Sequence, residues 1–487
     1  MGVIRNQSIK NSISFYIGMS IGAVNTILIY PNVFNDQPEH WGLLSILVAY
    51  ATLIGTFSSL GIPKTFIRFF PAIKEKGQLY FLSLVTPLFG FIISCLGYWV
   101  FKEELFVLLN ASPLLQENFF YIFLLVFFIS FYDVLTSVSR SYLDAATPIF
   151  LNEIFLKLYC LIILLFHGFK FIDFTTFLQL YVAGFLFKFL LLFIIQIFKG
   201  NLYFTISVGA LKIKEILEYG IYVLIGGASV MFVSRLDMLM IGVLLDLEQV
   251  AFYTLAFYIG SVIKVPGKSI VSISVPLLSK AWEEQDFKQI QTIYSKSSIN
   301  QLIVGGIFFL CVWINIDAIF SILPEKFSHG KWVVMYIGLA QLFNIATGVN
   351  GAIIVNSKYY RYDLITNVLL VFFTIVTNYI LIPIYGIDGA AMATALSVFL
   401  FNLIRLILIK VKMGIQPFSL KSVYTILIFL IIYILISYLP LSGNIFIDIV
   451  WKSFIVLGIF IPLLLKLELS EDINKIVSDT RKRMSKN

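Results

Sequence analysis

Residues 174–198 read FTTFLQLYVAGFLFKFLLLFIIQIF, a mostly apolar run in which Lys188 is the single charged residue. A helix needs about 20 mostly apolar residues to cross a hydrocarbon core about 30 Å thick, so this run is long enough to span a bilayer. It lacks the alternating pattern and the length of about 9–11 residues that strands of outer-membrane barrels have. The run therefore predicts a membrane-spanning helix with one basic residue inside it.

The whole chain is apolar in composition, like this run. Of the 487 residues, 59% are hydrophobic and 13% are charged, and the mean hydropathy is +0.94. Soluble proteins carry about 25% charged residues, because their surfaces face water. Most of this chain's surface must face lipid, which excludes soluble enzymes, DNA-binding proteins and disordered proteins.

Similar runs recur along the chain and predict an all-α integral membrane protein with about 14 transmembrane helices. The predicted spans are 11–31, 40–61, 79–101, 117–140, 149–168, 174–198, 216–242, 249–268, 299–322, 332–354, 364–384, 388–410, 421–440 and 445–466.

The basic residues indicate how the spans are oriented, since cytoplasmic loops of membrane proteins carry an excess of Lys and Arg. With a cytoplasmic N-terminus, 27 of the 35 Lys and Arg residues fall on the cytoplasmic side and 5 fall outside. Lys157, Lys188 and Arg235 remain within spans. This asymmetry predicts an even number of spans with both termini in the cytoplasm, and it accounts for most of the net charge of +8.

The order of the spans predicts two halves. We expect an N-terminal six-helix bundle at 1–198, a cytoplasmic linker at 199–215, a C-terminal six-helix bundle at 216–412, and two extra helices with a basic cytoplasmic tail at 413–487. The stretch Glu39–Ser45 resembles the stretch Glu248–Thr254, and both follow an odd number of spans. The two bundles are therefore expected to be related by a parallel pseudo-two-fold repeat.

Six stretches carry a family resemblance: Glu39–Leu44, Leu60–Pro63, Arg68–Pro71, Arg235–Gly242, Val250–Ala256 and Ile382–Thr394. In order and spacing they resemble the polysaccharide (lipid-linked oligosaccharide) flippases of the MATE-like multidrug/oligosaccharidyl-lipid/polysaccharide exporter superfamily. The likeness covers nearly the whole chain. Ala251 departs from the family, which often has Gly at that position.

The resemblance implies a flippase in the bacterial inner membrane. It would move an undecaprenyl-pyrophosphate-linked oligosaccharide from the cytoplasmic to the periplasmic leaflet by alternating access, for O-antigen or capsular polysaccharide biosynthesis. The implied partners are this lipid-linked oligosaccharide, membrane lipids, and a polysaccharide polymerase with its assembly machinery, with no nucleic acid. The expected protein is not an enzyme and needs no cofactor. The sequence has no P-loop, so ATP is not expected to drive it directly, whereas coupling to an ion gradient is compatible with it.

Charged residues inside spans are the first candidates for the substrate site, because each costs about 2.5–3.5 kcal/mol to insert. Lys188 has no evident partner on its own helix and is the preferred cavity cation. Arg235 and Asp237 lie about 200° apart around a helix and cannot face the same cavity. Arg235 is expected to bind pyrophosphate while Asp237 binds a neighbouring helix. The alternative is that both anchor the helix end at the outer interface.

Other candidates have a functional and a structural interpretation. Lys157 and Arg68 are candidate cavity cations. The favoured structural alternative pairs Lys157 with Glu153 and Asp133 with Arg140. Arg68, like Arg405 near the inner end of the twelfth span, is equally explained as a positive-inside anchor. Gly226 and Gly227 are candidates for a hinge in the seventh span.

The three cysteines and three histidines lie far apart and predict neither a disulfide framework nor a metal site. Two related transporters stay open as alternatives. A cation-coupled multidrug exporter needs carboxylates in its cavity, whereas the intramembrane charges without a partner here are mostly basic, which favours an anionic substrate. A lipid II flippase is the closer alternative. A glycosyltransferase or polymerase would need large periplasmic loops, whereas every outer loop between the predicted spans is short.

Overall fold

The computed structural model describes residues 2–73, 76–202, 213–439 and 444–484, and every regular element in these ranges is helical. The predicted all-α fold is confirmed. The chain divides into two compact units, one up to Thr254 and one from Leu255 onward. This division does not test the predicted six-helix bundles, which stay a prediction, and residues 203–212 of the predicted linker lie outside the described residues.

The first unit consists of long helices joined by short turns. Its main helices are α1 (Gly2–Ala23), which continues through a π-helical segment (Val24–Ile29) to Val33, α2 (Pro38–Ser58), α3 (Ile62–Phe69), α4 (Lys76–Val100), α5 (Phe120–Ser141), α6 (Ala146–Gly168), α7 (Phe174–Phe198), α8 (Ile213–Leu244) and the first part of α9 (Leu247–Ser261).

Local sequence explains where several of these helices begin. Pro38 occupies the first turn of α2, where the missing N–H costs nothing. The Asp173 carboxylate accepts a hydrogen bond from the Thr176 N–H at 3.1 Å and caps α7. Hydrogen bonds with the Thr176 side chain and the Thr176 N–H lower the pKa of Asp173. The apolar run 174–198 therefore forms a helix that is capped at its first turn.

Helices α5 and α6 each pack against several other helices of the first unit. α5 packs against α2, α3, α4 and α7, and α6 packs against α1 and α7. Gly42 lets α2 approach the start of α9 closely, because a Cβ at Gly42 would lie 1.7 Å from the Leu247 carbonyl oxygen. The first of the two stretches that predicted the internal repeat therefore contacts the residue that directly precedes the second.

The second unit is also helical. Beyond the rest of α9, it contains α10 (Val265–Glu283), α11 (Phe287–Ile314), α12 (Lys331–Ala346), α13 (Asn350–Asn356), α14 (Arg361–Met413), α15 (Leu420–Ser437), α16 (Ile445–Lys466) and α17 (Glu471–Met484).

Helical structure continues past the predicted end of the eighth span at residue 268, as far as Glu283. Only a 3-10 turn, Val262–Lys264, separates α9 from α10. Pro266 lies in the first turn of α10, where proline is tolerated. Residues 269–283, which lie between two predicted spans, therefore belong to α10.

α14 has a break in the middle. Gly386 has φ 59° and ψ −136°, a conformation that only glycine adopts readily, so two helical segments meet there. The break coincides with the predicted turn between the spans 364–384 and 388–410. Pro383 lies just before it.

The multi-pass membrane character of the chain is confirmed. Among the described residues, 11 helices are long and apolar enough to cross a membrane, and two bent pairs raise this number to 13. α14 enters that number as one helix of 53 residues despite its break. The count of 14 and the parallel repeat stay predictions.

The two C-terminal helices pack onto the second unit. The Phe429 ring on α15 stacks on the Phe460 ring on α16, with centroids 4.6 Å apart. Gly306 on α11 makes room for this pair, since a Cβ there would lie 2.1 Å from the Phe429 ring. A buried aliphatic cluster on α11, α15 and α16 surrounds the stack.

Candidate functional site

A cavity of about 460 Å³ in the first unit is lined by α1, α2, α5, α6, α7 and α8. Its charged lining residues are Asp133, Arg140, Glu153, Lys157, Lys188 and Arg235. Four of these are basic and two are acidic, so the cavity carries a net positive charge. The sequence therefore located most of the charged lining, from residues that lie on four different helices.

Lys188 lines this cavity and is 4% exposed. Its Nζ donates a hydrogen bond to Asn152 Oδ1 at 3.0 Å and lies 4.2 Å from the Tyr132 ring centroid and 5.1 Å from that of Phe185. Two aromatic faces and an amide oxygen stabilise an ammonium without neutralising it. The Lys188 ammonium therefore lies beside the cavity without a carboxylate ion pair among the described residues.

Asn152 and Glu153 lie in a π-helical turn of α6, Leu151–Phe155. Asn152 Nδ2 donates to Glu153 Oε1 at 3.1 Å, and Lys157 Nζ donates to Glu153 Oε2 at 2.8 Å. The predicted pair of Lys157 with Glu153 is confirmed. Lys157 also donates to the Gly18 carbonyl oxygen on α1 at 3.0 Å, so it stabilises helix packing as well as lining the cavity.

Arg235 and Asp237 point in different directions. Arg235 lines the cavity, while Asp237 is 3% exposed and accepts a hydrogen bond from the Tyr253 hydroxyl on α9 at 2.5 Å. Among the described residues, no carboxylate forms an ion pair with Arg235. The two side chains therefore have different surroundings, as the helical spacing predicted.

Asp133 and Arg140 both line the cavity with exposed side chains. Within the described ranges, no direct ion pair joins them, so the predicted Asp133–Arg140 pair is wrong. Seven residues place both on one face of α5, but that face borders open space, and each side chain extends into it. The cavity thus contains one carboxylate, Asp133, and two guanidinium groups, Arg140 and Arg235, that form no direct ion pair with a described residue.

Two other basic residues discussed for the site, Arg68 and Arg405, do not line this cavity. Arg68 is exposed on α3, outside the cavity lining, and its guanidinium carbon lies 4.1 Å from the Tyr219 ring centroid. Arg405, in the second unit, is buried and forms an ion pair with Asp363 and hydrogen bonds with Thr366 and Asn367. Arg405 therefore stabilises the packing of the second unit.

The predicted hinge coincides with a bend. The segments Ile213–Gly226 and Met231–Leu244 of α8 meet at 53°. Arg235 lies on the second segment, eight residues past Gly227. A change in the bend would therefore change the position of a cavity cation.

Three residues around Lys188 were not predicted from the sequence: Asn152, Tyr132 and Phe185. Aromatic residues are so frequent in this chain that two of them carried no signal, and Asn152 is a neutral side chain beside a charged one. The π-helical turn that presents Asn152 has no recognisable sequence pattern. Within the described residues, no group of His, Cys, Asp and Glu side chains could hold a metal ion.

The cavity can hold an anion that is larger than a single phosphate. Its guanidinium groups offer paired donors to phosphate oxygens, and Lys188 adds a point charge. The neutral polar residues Thr52, Thr136 and Asn152 offer hydrogen-bond donors and acceptors to hydroxyl groups.

Comparison with known families and proteins adds a second line of observation. A family model described as "Polysaccharide biosynthesis protein" matches residues 9–282, a range that contains every residue lining the cavity. A probable low-salt glycan biosynthesis flippase, Agl15 of Haloferax volcanii, is 22% identical over 185 residues, 38% of this chain and 39% of the relative. An uncharacterized membrane protein, MJ1068 of Methanocaldococcus jannaschii, is 24% identical over 286 residues, 54% of each chain. The chain thus spans between two fifths and just over half of these relatives' length.

Solved structures with the same fold are transporters. The lipid II flippase MurJ in its inward closed conformation superimposes with a TM-score of 0.73 at 14% identity, over 94% of this chain and 99% of that one. An inward-facing multidrug resistance MATE transporter of the MOP superfamily gives a TM-score of 0.62 at 14% identity, over 84% and 98%. These likenesses establish the fold that surrounds the cavity.

Proposed function

The chain belongs to the polysaccharide biosynthesis protein family and has the fold of MOP-superfamily transporters, and from this premise we propose that it is a lipid-linked oligosaccharide flippase. Its substrate would be an undecaprenyl-pyrophosphate-linked oligosaccharide that moves from the cytoplasmic to the periplasmic leaflet by alternating access. The product would serve O-antigen or capsular polysaccharide assembly in the bacterial inner membrane, with a polymerase acting downstream.

The observation that carries the proposal is the net positive cavity in the first unit. A pyrophosphate diester carries two negative charges, and moving it through a bilayer without compensation is prohibitively costly. Arg140 and Arg235 have no direct ion pair with a described carboxylate, so both are available to such a group. Lys188 adds a third basic group, whose hydrogen-bond acceptor is the neutral Asn152 amide.

Each residue would have a separate role. Arg235 would bind one phosphate with two parallel hydrogen bonds, because a guanidinium matches two phosphate oxygens. Lys188 would contribute a compact charge, and Thr136 would meet a sugar hydroxyl. Lys157 is already paired with Glu153 and would contribute less.

A leaflet assay tests the proposal. Cells that lack the protein should accumulate pyrophosphate-linked oligosaccharide on the cytoplasmic leaflet and lose surface polysaccharide. Purified protein in liposomes should make the same lipid accessible from the opposite leaflet. Normal surface polysaccharide together with increased sensitivity to cationic dyes would overturn the proposal in favour of drug export.

A lipid II flippase is the second candidate, because MurJ superimposes with the higher of the two TM-scores. Both candidates use an anionic lipid headgroup, so the cavity charge does not separate them. Depletion separates them: arrest of cell-wall synthesis identifies lipid II as the substrate, whereas growth with loss of surface polysaccharide identifies the oligosaccharide.

A further inference from the structure

Hydrogen bonds connect three helices in one continuous chain beside the cavity. Lys188 on α7 donates to Asn152, Asn152 donates to Glu153, and both of these residues lie on α6. Lys157 donates to Glu153 and to the Gly18 carbonyl oxygen on α1. Asn152 therefore uses both ends of its amide, one for a cation and one for a carboxylate.

The acceptor that Lys188 uses is unusual for a buried lysine. No ion pair among the described residues joins Lys188 to a carboxylate, although Asp133 is close enough to interact with it electrostatically. Asp133 follows Tyr132, whose ring lies against the ammonium. Both residues line the same cavity, and an ion pair of Lys188 with Asp133 in place of the bond to Asn152 would neutralise the cavity cation.

The π-helical turn holds Asn152 in place. It accommodates an extra residue in the turn and changes the direction of the side chains it carries, so Asn152 and Glu153 both line the cavity. α1 packs closely against this turn, since a Cβ at Gly18 would lie 2.5 Å from the Glu153 carbonyl oxygen. The Lys157 bond to Gly18 fixes the same contact.

We propose that Asn152 is a positioning residue that holds the Lys188 ammonium at the cavity and away from Asp133. An amide oxygen accepts the hydrogen bond without cancelling the charge, so Lys188 stays available to an anionic lipid headgroup. The chain through Glu153 and Lys157 orients the amide and anchors it to α1. This inference rests on the proposed function, because it assumes that Lys188 binds the pyrophosphate.

If Asn152 has this role, both the shape and the neutral charge of its side chain should affect anion binding. Asn152→Asp keeps the acceptor and nearly the same shape, but it places a carboxylate on Lys188. Asn152→Ala removes the acceptor and frees Lys188 to pair with Asp133. In the second case, Asp133→Asn should restore the cation, so the double variant separates positioning from packing.

Binding of farnesyl pyrophosphate to the purified full chain in nanodiscs, measured by calorimetry, tests this. Lys188→Gln, Asn152→Ala and Asn152→Asp should each weaken binding roughly 10-fold or more, the size expected for one charge-assisted hydrogen bond. The double variant Asn152→Ala with Asp133→Asn should recover most of the lost affinity. Asn118→Asp is the matched control, because it makes the same change on a short helix outside the cavity lining.

The outcomes separate the two levels of the proposal. If the unchanged protein does not bind farnesyl pyrophosphate, the proposed function fails and this inference fails with it. If Lys188→Gln weakens binding while Asn152→Asp and Asn152→Ala bind normally, only the positioning role is overturned. Loss of binding in Asn152→Ala that Asp133→Asn does not restore also overturns it. Thermal melts of each variant confirm that the comparison is between folded proteins.

Discussion

At the scale of single residues, Arg235 and Asp237 show what helical spacing determines. Two residues along a helix turn the side chain by about 200°, so one of the pair meets the cavity and the other meets α9. The free-energy cost of a charged side chain therefore differs between the two positions, because one borders the cavity and the other is buried. An unpaired guanidinium beside polar space is tolerated, whereas a buried carboxylate needs its tyrosine partner.

Arg235→Lys provides a test of bidentate binding. Lysine keeps the charge but offers a point contact in place of two parallel hydrogen bonds, so we expect binding of a prenyl pyrophosphate to weaken about 5- to 10-fold. Arg235→Ala should weaken it roughly 10- to 100-fold, because it removes a charge-assisted bond worth about 1.5–3 kcal/mol. Calorimetry on the purified protein measures both.

Arg68→Ala is the matched control for these two variants. Arg68 is an arginine in the same unit that stacks on Tyr219 outside the cavity lining. It should bind the ligand like the unchanged protein. Equal weakening in Arg68→Ala and Arg235→Ala would contradict a specific role for the cavity arginine.

At the residue scale, the sequence predicted which charges line the cavity and the Lys157–Glu153 pair, but not the other contacts of these charges. Lys188, Arg235 and Lys157 were found because a charge in an apolar span is conspicuous. The pairing of Asp133 with Arg140 was wrong, since periodicity gives the face of a helix but not what that face borders. Asn152 was missed because its role depends on a lysine 36 residues away on another helix.

At the scale of helices, irregular segments position the site. The π-helical turn of α6 presents Asn152 and Glu153, and the 53° bend of α8 precedes Arg235. The two glycines predicted the place of the bend, because glycine weakens a helix. Nothing comparable marks the π-helical turn, whose sequence LNEIF contains no glycine or proline.

Gly226→Ala tests whether the bend of α8 is used in transport. A Cβ at Gly226 meets no atom within 4 Å, so alanine fits without a clash. Alanine is favoured in a helix by about 1 kcal/mol over glycine, and it should stiffen this segment. We expect pyrophosphate binding to stay unchanged while transport in liposomes slows several-fold. Equal transport rates would show that α8 does not bend there during the cycle.

Asp144 connects the turn between α5 and α6 to the end of α7. Its carboxylate accepts hydrogen bonds from the Thr147 N–H at 3.1 Å and from Lys199 Nζ. Burial alone would raise the pKa of Asp144, but these bonds outweigh burial and lower it. The contribution to stability is therefore complete above the unfolded value, near pH 4, and is lost as the pH falls through the lower folded value.

Asp144→Asn should lower the free energy of unfolding by about 0.5–1 kcal/mol at pH 7, because Lys199 is partly exposed and solvent screens the pair. The asparagine oxygen can still accept the Thr147 bond, so only the ionic part is lost. Thermal melts at pH 7 and pH 3 measure the effect, and the difference between the two proteins should shrink at pH 3. A difference that stays constant would assign the effect to packing.

At the scale of the whole molecule, topology depends on how often α14 crosses the bilayer. The basic residues predict an even number of spans, with the segment around Lys358 inside and the turn at 385–387 outside. A single crossing by all 53 residues would instead reverse every later span. A helix of this length would measure about 80 Å at 1.5 Å per residue, far more than the bilayer thickness.

Cysteine accessibility distinguishes these cases. In a chain with Cys95, Cys160 and Cys311 replaced by serine, Tyr385→Cys should react with a membrane-impermeant thiol reagent in intact cells. Tyr385 is 54% exposed beside Gly386, where the two helical segments meet. Lys358→Cys should react only after permeabilisation. Two crossings bring residue 385 to the outer surface, because Gly386 lets the chain reverse there. If residue 385 is protected before and after permeabilisation, α14 crosses once, and both the even count and the cytoplasmic C-terminus are wrong.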